Sequence, residues 1–377
     1  MGRIKLAILG GGQLGKMMTQ AAKKMDFYVT ILDPTPYSPA GQVADEQISA
    51  DFNDKRAILK IAKKSDFLTF EIENINGKFL DTLEKKVNCK INPSGKSWRL
   101  FQDKLKQKEL FKKAGIPQPK FIPVKIFSDL KKAAKKFGFP FLLKSRFNSY
   151  DGRGNFLIKE ENDMTIAWEK MKNQKNYAEE FINFDKELAI MVARDFKGNL
   201  AFYPVVETIQ KNNICHYVMA PAKISLLAQK TTKKIASDII KLLTGAGVFG
   251  IEMFKTPDDR VLINEVAPRV HNSGHYSIEA CITSQFEQHV RAVCGLPLGS
   301  TKMIVPAAVM INILGERNGE ADLKGLDKAL AIPNVSVHIY GKHETRIGRK
   351  MGHIVAIGES LAEAFKKAKQ AREYISI

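Results

Sequence analysis

The first seventy residues constrain the fold more than any other segment. The apolar run Ile4–Leu9 has the length of a buried strand, ends at the glycines Gly10–Gly12, and leads at once into apolar residues at helical spacing. A second apolar run, Tyr28–Leu32, ends at Asp33, and a third, Phe67–Ile72, follows. Strands that alternate with helices predict a parallel sheet covered by helices. We therefore expect an α/β (mixed α+β) chain that begins with a Rossmann-like domain.

The glycine loop after the first strand permits two interpretations. Gly10, Gly12 and Gly15 satisfy the G-x-G-x-x-G pattern, and Asp33 ends the next strand roughly 20 residues further on, as in dinucleotide-binding domains. Backbone N–H groups at a helix N-terminus attract phosphate, which favours an NAD-dependent oxidoreductase. The same tight turn also joins strand to helix in α/β domains that bind no nucleotide. The loop alone does not decide between them.

Size and composition limit the class of protein. The 377 residues exceed one ordinary domain, and 44% hydrophobic with 26% charged residues is typical of soluble globular chains. Four widely spaced cysteines without a C-x-x-C motif predict reduced thiols. The start of the chain is predicted to be a strand, not a signal peptide. No apolar run approaches the roughly 18 residues that a membrane-spanning helix needs. We expect a cytoplasmic protein without a membrane partner.

The chain carries 59 Lys and Arg against 40 Asp and Glu, a formal net charge of +19. Such an excess occurs in nucleic-acid-binding proteins. Here, however, the lysines are scattered in pairs on predicted helix faces, without interleaved aromatic residues. We interpret the charge as solvated surface with a general attraction for anionic small molecules, and we expect no nucleic-acid partner.

A predicted hairpin brings two glutamates together. Its strands, over 247–254 and 260–265, flank Pro257, Asp258 and Asp259. If the turn is centred between Asp258 and Asp259, Glu252 lies opposite Glu265, and Phe254 lies opposite Ile263. Residues paired in this way have Cβ atoms about 4.5–5.5 Å apart.

Two carboxylates at that separation repel each other unless one is protonated or a cation binds between them. Asn264 would add a neutral oxygen beside Glu252 and Glu265. Oxygen ligands suit Mg²⁺ or Mn²⁺, and Mg²⁺ typically combines few carboxylates with nucleotide phosphates. The hairpin therefore predicts a metal site, with two outward-facing, solvated glutamates as the alternative.

A predicted strand ends at Lys144, where a ligand phosphate would meet its ammonium group, and the polar loop 149–155 follows. Two glycines, an arginine and small polar residues suit a loop that closes over phosphates, although a plain hairpin turn is the alternative. The next strand, 177–182, offers a backbone edge that would hydrogen-bond an adenine, and a nearby carboxylate would hold ribose hydroxyls.

A lysine strand, a glycine loop, an acidic strand and a carboxylate hairpin follow each other in the order typical of ATP-grasp enzymes. The chain resembles the biotin-carboxylase-like members of that superfamily, and most closely the N5-carboxyaminoimidazole ribonucleotide synthetases of purine biosynthesis. The resemblance covers nearly the whole length. It depends on five motifs: Gly12–Gly15, Tyr150–Gly154, Asn264–His275, Thr283–Glu287 and Gly348–His353.

The resemblance implies an ATP-grasp fold in three domains. A Rossmann-like N-terminal domain would span 1–97, and an ATP-grasp domain would span 98–295 with a mobile lid near 118–178. A C-terminal substrate-binding domain would span 300–377. Family members are commonly homodimers, and we carry that over as an expectation.

The resemblance also implies the residues that bind ATP and Mg²⁺ (or Mn²⁺). Those for the phosphates would be Lys104 and Lys144, covered by Ser149, Tyr150, Asp151, Gly152, Arg153, Gly154 and Asn155. Those for adenine and ribose would be Glu179, Glu180, Phe181, Ile182 and Glu187, and those for the metal Glu252, Glu265 and Asn264. The chain departs from the family in two places: Asn148-Ser149 replace Gly-Gly before the loop tyrosine, and Gln210 replaces a histidine that contacts ATP.

The second substrate implied is 5-aminoimidazole ribonucleotide. Its phosphate would be held by Lys342, Arg349 and Lys350, for which a basic turn is the alternative. Around the imidazole and the bicarbonate-derived group we expect the catalytic candidates Tyr150, Asp151, Arg153, Arg269 and His271, with Glu73 as a further contact. Gly12 and Gln13 would then face this substrate instead of NAD. His271 and His275 lie four residues apart but lack a third zinc ligand nearby.

The implied reaction is the ATP- and bicarbonate-dependent carboxylation of the ribonucleotide amine through carboxyphosphate, giving ADP and phosphate. Within the superfamily, the alternatives are a formate-dependent glycinamide ribonucleotide transformylase and a biotin-carboxylase-type subunit. Outside it, an NAD-dependent oxidoreductase depends only on the glycine loop, and a nucleic-acid binder only on charge.

Overall fold

A computed structural model describes residues 2–147 and 154–377. The N-terminal part is a five-stranded parallel sheet in the order β3-β2-β1-β4-β5. Its strands are β1 (Lys5–Leu9), β2 (Tyr28–Leu32), β3 (Glu46–Ile48), β4 (Phe67–Phe70) and β5 (Lys90–Ile91). Its helices are α1 (Gln13–Lys24), α2 (Lys55–Lys63), α3 (Gly77–Glu84) and α4 (Gly95–Gln102). Residues 6–9 of β1 are all buried, because helices cover both faces. The predicted parallel-sheet start is confirmed.

A small antiparallel sheet in the order β6-β9-β7-β8 follows helix α5 (Lys104–Lys113). Its strands are β6 (Phe121–Val124), β7 (Phe141–Ser145), β8 (Asn155–Ile158) and β9 (Asn176–Glu180). Helices α6 (Phe127–Phe137) and α7 (Glu161–Met171) pack on it and share a separate hydrophobic core with it. This unit lies in the part of the chain predicted to be a lid, near 118–178, and its role as a lid stays a prediction.

The largest sheet has nine strands in the order β15-β14-β10-β12-β13-β16-β20-β18, with β11 paired to β10. Its strands from the middle of the chain are β10 (Lys186–Arg194), β11 (Leu200–Phe202), β12 (Val206–Lys211), β13 (Ile214–Ala220), β14 (Gly247–Lys255) and β15 (Val261–Ala267). Those from the last segment are β16 (Ala307–Leu314), β18 (Val335–Ile339) and β20 (Lys350–Gly358). A ribbon pairs β17 (Gly319–Glu320) with β19 (Glu344–Thr345).

Five helices pack with this sheet: α8 (Leu226–Lys241), α9 (Ser277–Ala280), α10 (Gln285–Val293), α11 (Leu326–Leu330) and α12 (Leu361–Tyr374). One core joins α1 and β1 to α10 and β10 through side chains such as Met18, Met191 and Phe286. The predicted C-terminal domain shares its sheet with the middle of the chain, because β16 pairs with β13. The domain boundaries remain a prediction.

Three elements differ in detail from what the local sequence predicts. Residues 101–114 predict one helix, but it is broken at Asp103, whose extended backbone ends α4 and whose carboxylate caps α5 at the N–H of Lys106. Residues 201–206 predict one strand, which is split around Pro204, because proline has no N–H for a ladder. Ser360 and Glu363 predict a capping box; Ser360 caps α12, but Glu363 accepts from the N–H of Glu359 instead of Ser360. Among the described residues, no helix has both the length and the apolar character needed to cross a membrane.

Candidate active site

The strand register confirms the predicted glutamate pair. Glu252 on β14 lies directly opposite Glu265 on β15. The next predicted pair is wrong: Phe254 lies opposite Leu262, and Ile263 lies opposite Met253. The difference arises from a β-bulge, a local irregularity with an extra residue on one strand that sequence periodicity does not show.

Asn264 is the extra residue of this bulge, because Glu265 pairs with Glu252 while Ile263 already pairs with Met253. A bulge re-aims side chains, and here it breaks the alternation along β15. The consecutive residues Asn264 and Glu265 are both partly exposed, whereas Ile263 and Val266 on either side of them are buried. The amide and the carboxylate are therefore on the same open face as Glu252.

The two glutamates have different electrostatic surroundings. Burial, together with the neighbouring carboxylates of Glu265 and Glu187, raises the pKa of Glu252 to about 7. Burial would also raise the pKa of Glu265, but Lys104 and Lys144 outweigh it and hold that pKa below its ordinary value. The Lys104 Nζ lies 3.0 Å from Glu265 Oε2. One carboxylate is thus paired, whereas the other lacks a full counter-charge.

This donor set fits Mg²⁺ or Mn²⁺ better than a metal that needs a complete cage of protein ligands. Within 2–147 and 154–377, no three His, Cys, Asp or Glu side chains are gathered around one point as a metal site. Two carboxylates and one amide oxygen are what a magnesium ion that also binds nucleotide phosphates would need. The shared negative charge of Glu252 and Glu265, with the raised pKa of Glu252, is the observation that supports a cation here.

Lys144 and Glu179 form a buried ion pair, which corrects one expectation. Lys144 Nζ lies 3.0 Å from Glu179 Oε1, and the other Glu179 oxygen contacts Lys108 Nζ. Glu179 is only 1% exposed. Its strand, β9, lies between β6 and β7, so the expectation that Glu179 and Glu180 form a free strand edge is wrong.

Two of the residues predicted to contact adenine lie just beyond the end of β9. β9 ends at Glu180, so neither Phe181 nor Ile182 belongs to a strand, and the Phe181 side chain is 41% exposed. Glu187, at the start of β10, accepts a hydrogen bond from Gln210, while its Oε2 is buried without a partner among the residues that the structure describes. A buried acceptor without a donor favours a ligand hydroxyl. The two predicted residues Glu187 and Gln210 are therefore in contact.

The glycine loop is occupied by carboxylates of the chain itself. Gly11 N–H donates to Asp33 at 2.7 Å, and Leu14 N–H donates to Glu71 Oε1 at 3.1 Å. Gly12 N–H also donates to Glu71, which is buried against the loop. The N–H groups that would hold a dinucleotide phosphate are thus already bonded. The NAD interpretation of the loop is therefore wrong. The sequence misleads here because it does not reveal that the Glu71 carboxylate reaches the start of α1.

The three predicted phosphate-binding cations lie together at the start of β20. Lys342 Nζ donates to the Lys350 carbonyl oxygen at 2.7 Å, and Arg349 donates to the Glu344 carbonyl oxygen at 2.6 Å. Burial, helped by the charges of Arg349 and Lys350 and opposed by Glu71, lowers the pKa of Lys342 to about 8. Lys342 is therefore near both the cation cluster and the glycine loop.

Arg269 and His271 lie between this cation cluster and the carboxylate hairpin. Arg269 forms an ion pair with Glu73 at 2.9 Å, so two predicted substrate contacts meet. His271 Nε2 lies 3.7 Å from Glu252 Oε1, and its Nδ1 is 2.8 Å from Ser273 Oγ. Burial lowers the pKa of His271 to about 3, helped by Arg269 and Lys350. His271 is therefore a neutral imidazole beside the glutamate pair.

Five predicted residues, Ser149, Tyr150, Asp151, Gly152 and Arg153, lie outside the described residues. The end of their loop is described: Asn155 pairs with Lys144, and Gly154 has φ +81°, a conformation that glycine adopts without strain. The positions of Gly154 and Asn155 next to Lys144 agree with a loop beside the phosphate site.

Sequence analysis missed three residues that shape the site. Lys108 belongs to the lysine-rich helix α5, and nothing in the sequence distinguishes this buried lysine from its exposed neighbours. Arg146 pairs with Asp103 through two contacts, at 3.0 and 2.6 Å, and so fixes the residue before Lys104. Glu71 was noted only as part of a strand. The aspartate that precedes a lysine-rich helix was an available capping signal.

Comparisons with known proteins agree with this arrangement. Three family descriptions match: a ribonucleotide synthetase preATP-grasp domain at residues 3–102, an ATP-grasp domain at 109–286, and a phosphoribosylaminoimidazole carboxylase C-terminal domain at 308–367. The N5-carboxyaminoimidazole ribonucleotide synthase of Bacillus subtilis is 41% identical over 350 residues, which is 93% of this chain and 90% of that protein. Fungal relatives described as phosphoribosylaminoimidazole carboxylases are longer, and the chain spans about two thirds of their length (68% and 66% in two of them).

Solved structures show the same likeness. The N5-carboxyaminoimidazole ribonucleotide synthetase of Thermotoga maritima has 48% identity and a TM-score of 0.90, with 99% of each chain covered. The corresponding enzyme of Aspergillus clavatus, solved with ADP and 5-aminoimidazole ribonucleotide, has 35% identity and a TM-score of 0.90. The match covers 99% of this chain and 98% of that one.

Proposed function

Because the chain belongs to the family of N5-carboxyaminoimidazole ribonucleotide synthetases, we propose that it carboxylates the exocyclic amine of 5-aminoimidazole ribonucleotide. It is an ATP-dependent carbon–nitrogen ligase of purine biosynthesis that consumes ATP and bicarbonate. The observation that carries the proposal is the opposition of Glu252 and Glu265 across a bulged hairpin, with Lys104 beside one of them. That arrangement supports a site for a nucleotide with its divalent cation.

The first step transfers a phosphoryl group. A bicarbonate oxygen forms a bond to the γ-phosphorus of ATP, the bond to the β,γ-bridging oxygen breaks, and ADP leaves. Lys104 and Lys144 lie where they would offset charge on the phosphates. Glu252, Glu265 and Asn264 would hold Mg²⁺, which when bound neutralises developing charge on the transferred group.

The second step uses the carboxyphosphate that results. It releases CO₂ and phosphate, and the amine nitrogen forms a bond to the CO₂ carbon and loses a proton. Exclusion of water keeps CO₂ close to the amine, a role that we give to the loop of residues 149–155. Lys342, Arg349 and Lys350 hold the ribonucleotide phosphate. Arg269 and the neutral His271 hold the carboxylate, and Glu73 orients Arg269 through their ion pair.

We further propose that the protein is a cytoplasmic homodimer, as expected for this family. Light scattering coupled to gel filtration tests the dimer directly. A monomer at working enzyme concentration would contradict it.

ADP release tests the proposed reaction. We expect ADP formation with ATP, Mg²⁺ and bicarbonate to depend on added 5-aminoimidazole ribonucleotide. One molecule of carboxylated ribonucleotide should form for each molecule of ADP. Formate in place of bicarbonate, with glycinamide ribonucleotide as acceptor, is the control for the transformylase alternative. ADP formation that is indifferent to aminoimidazole ribonucleotide, or that requires formate, would refute the assignment.

A further inference from the structure

Two lysines share one enclosed carboxylate beside the phosphate site. Glu179 on β9 contacts Lys144 of β7 through Oε1 and Lys108 of α5 through Oε2. The exposed fractions are 1% for Glu179, 4% for Lys108 and 7% for Lys144. Two ammonium groups and one carboxylate leave a net charge of +1 in a space from which water is almost excluded.

Charges in such a space interact strongly, so the way the carboxylate is shared has consequences. Burial would raise the pKa of Glu179, but Lys108 and Lys144 outweigh it and keep that pKa below its ordinary value. The carboxylate is therefore ionised and divided between two cations. Burial lowers the pKa of Lys108, and Glu179 opposes that shift.

Lys144 is the member of the cluster that faces the reaction site. It lies close enough to Glu265 to lower the pKa of that carboxyl, and its strand partner Asn155 ends the phosphate loop. Lys108 projects from the buried face of α5 together with Leu105 and Phe111, and the nearby Lys104 contributes to lowering its pKa. The two lysines thus have different tasks although they share one anion.

We propose that Lys108 is a positioning residue, which occupies half of the Glu179 carboxylate so that Lys144 is oriented by Glu179 without being neutralised by it. Lys144 then keeps enough positive charge to attract the nucleotide phosphates. This inference rests on the proposed function, because it assumes that the site binds ATP.

The charge balance predicts how substitutions act. Lys108→Met leaves Glu179 to pair with Lys144 alone, so the cluster becomes neutral and attracts phosphate less. Glu179→Gln leaves two buried ammonium groups without an anion, so Lys144 loses its anchor. The double substitution restores a net charge of +1, carried by Lys144 beside a neutral hydrogen-bonding amide. Opposed effects of this kind make a double-mutant cycle informative.

The test measures the Kd for MgADP by calorimetry, and the KM values for ATP and for 5-aminoimidazole ribonucleotide. We expect each single substitution to raise the nucleotide Kd and KM by about tenfold, and the ribonucleotide KM by less than about twofold. The double variant should return to within about threefold of the wild-type nucleotide Kd. Lys106→Met is the matched control, since it removes an exposed lysine from the same helix and should change nothing.

Several results would overturn the inference. One is a double variant that binds ADP no better than the weaker single variant, as expected if the lysine only stabilises the fold. Another is a parallel change in kcat and in both KM values, or an unchanged nucleotide Kd in Lys108→Met. Circular dichroism and thermal melting verify folding, and Lys108→Gln replaces Lys108→Met if methionine is not tolerated. ADP binding needs no ribonucleotide, so a wild type that binds ADP without carboxylating refutes the proposed function alone.

Discussion

Among single residues, we expect Lys342 to make the proposed ribonucleotide binding depend on pH. Its pKa is lowered to about 8, chiefly by burial. A lysine attracts phosphate only when it is protonated, so the positive charge of Lys342 is largely present at pH 7 and is lost as the pH rises through about 8. We expect the KM for 5-aminoimidazole ribonucleotide to rise between pH 7 and 9, while the KM for ATP changes less.

Lys342→Arg is the matched variant, because a guanidinium stays charged throughout this range. Steady-state kinetics should show a flatter pH dependence of the ribonucleotide KM in this variant. An equal rise of that KM in both proteins would contradict the role given to Lys342.

At the scale of residues, the positions of side chains could be predicted where the residue type suggests a single kind of ligand. Glu252, Glu265 and the cations at 342, 349 and 350 lie together as expected. The prediction failed for Glu179, because a carboxylate near an adenine site and a carboxylate enclosed by two lysines look identical in a sequence. Burial of Lys108 depends on packing between α5 and the small sheet, which no local pattern records.

At the scale of elements, the break between α4 and α5 positions Lys104. Asp103 caps α5 and is held by two contacts from Arg146. We expect Asp103→Ala to lower the free energy of unfolding by about 2–4 kcal/mol, because a cap is lost and a partly buried arginine is left without its anion. It should also raise the KM for ATP, since Lys104 is the next residue.

Urea unfolding and ATP kinetics measure both effects. Asp103→Asn is the control that retains a capping oxygen and removes the ion pair, so its ATP KM should lie between those of the wild type and Asp103→Ala. A stable Asp103→Ala variant with an unchanged ATP KM would contradict this account of the break.

Hairpins and helices were predicted well where periodicity is strong, and less well where one residue interrupts it. The apolar pattern of 101–114 favours one helix, but the cap and ion pair of Asp103 outweigh it. The hairpin register was correct at Glu252 and wrong at Phe254, because the bulge at Asn264 adds one residue to β15 only. Such interruptions depend on tertiary contacts and have no fixed spacing.

For the whole molecule, the nine-stranded sheet makes the last segment part of the central structure. β16 pairs with β13 on one side and β20 on the other, and α12 buries a core against them. We expected a C-terminal domain over 300–377, and the connection before it, Gly295-Leu-Pro297, has the composition of a linker. Shared pairing between distant strands was not predictable from local composition.

We therefore expect a truncated chain of residues 1–299 to be insoluble or molten, because it exposes the β13 edge and one side of the sheet. Circular dichroism, near-ultraviolet spectra and gel filtration of the truncated chain against the full chain test this. A soluble truncated monomer with native spectra and a Mg-ATP thermal shift would contradict it.

The two opposed glutamates Glu252 and Glu265 are expected to hold a divalent cation for the nucleotide. Manganese binding in the presence of ADP, followed by electron paramagnetic resonance, measures this. We expect the wild type to bind Mn²⁺ with ADP, and Glu265→Gln to weaken that binding by roughly a hundredfold while the protein stays folded, since a cation loses one of two carboxylates. Glu169→Gln, an exposed carboxylate on α7, should bind as the wild type does. Unchanged Mn²⁺ affinity and normal ADP formation in Glu265→Gln would contradict the claim.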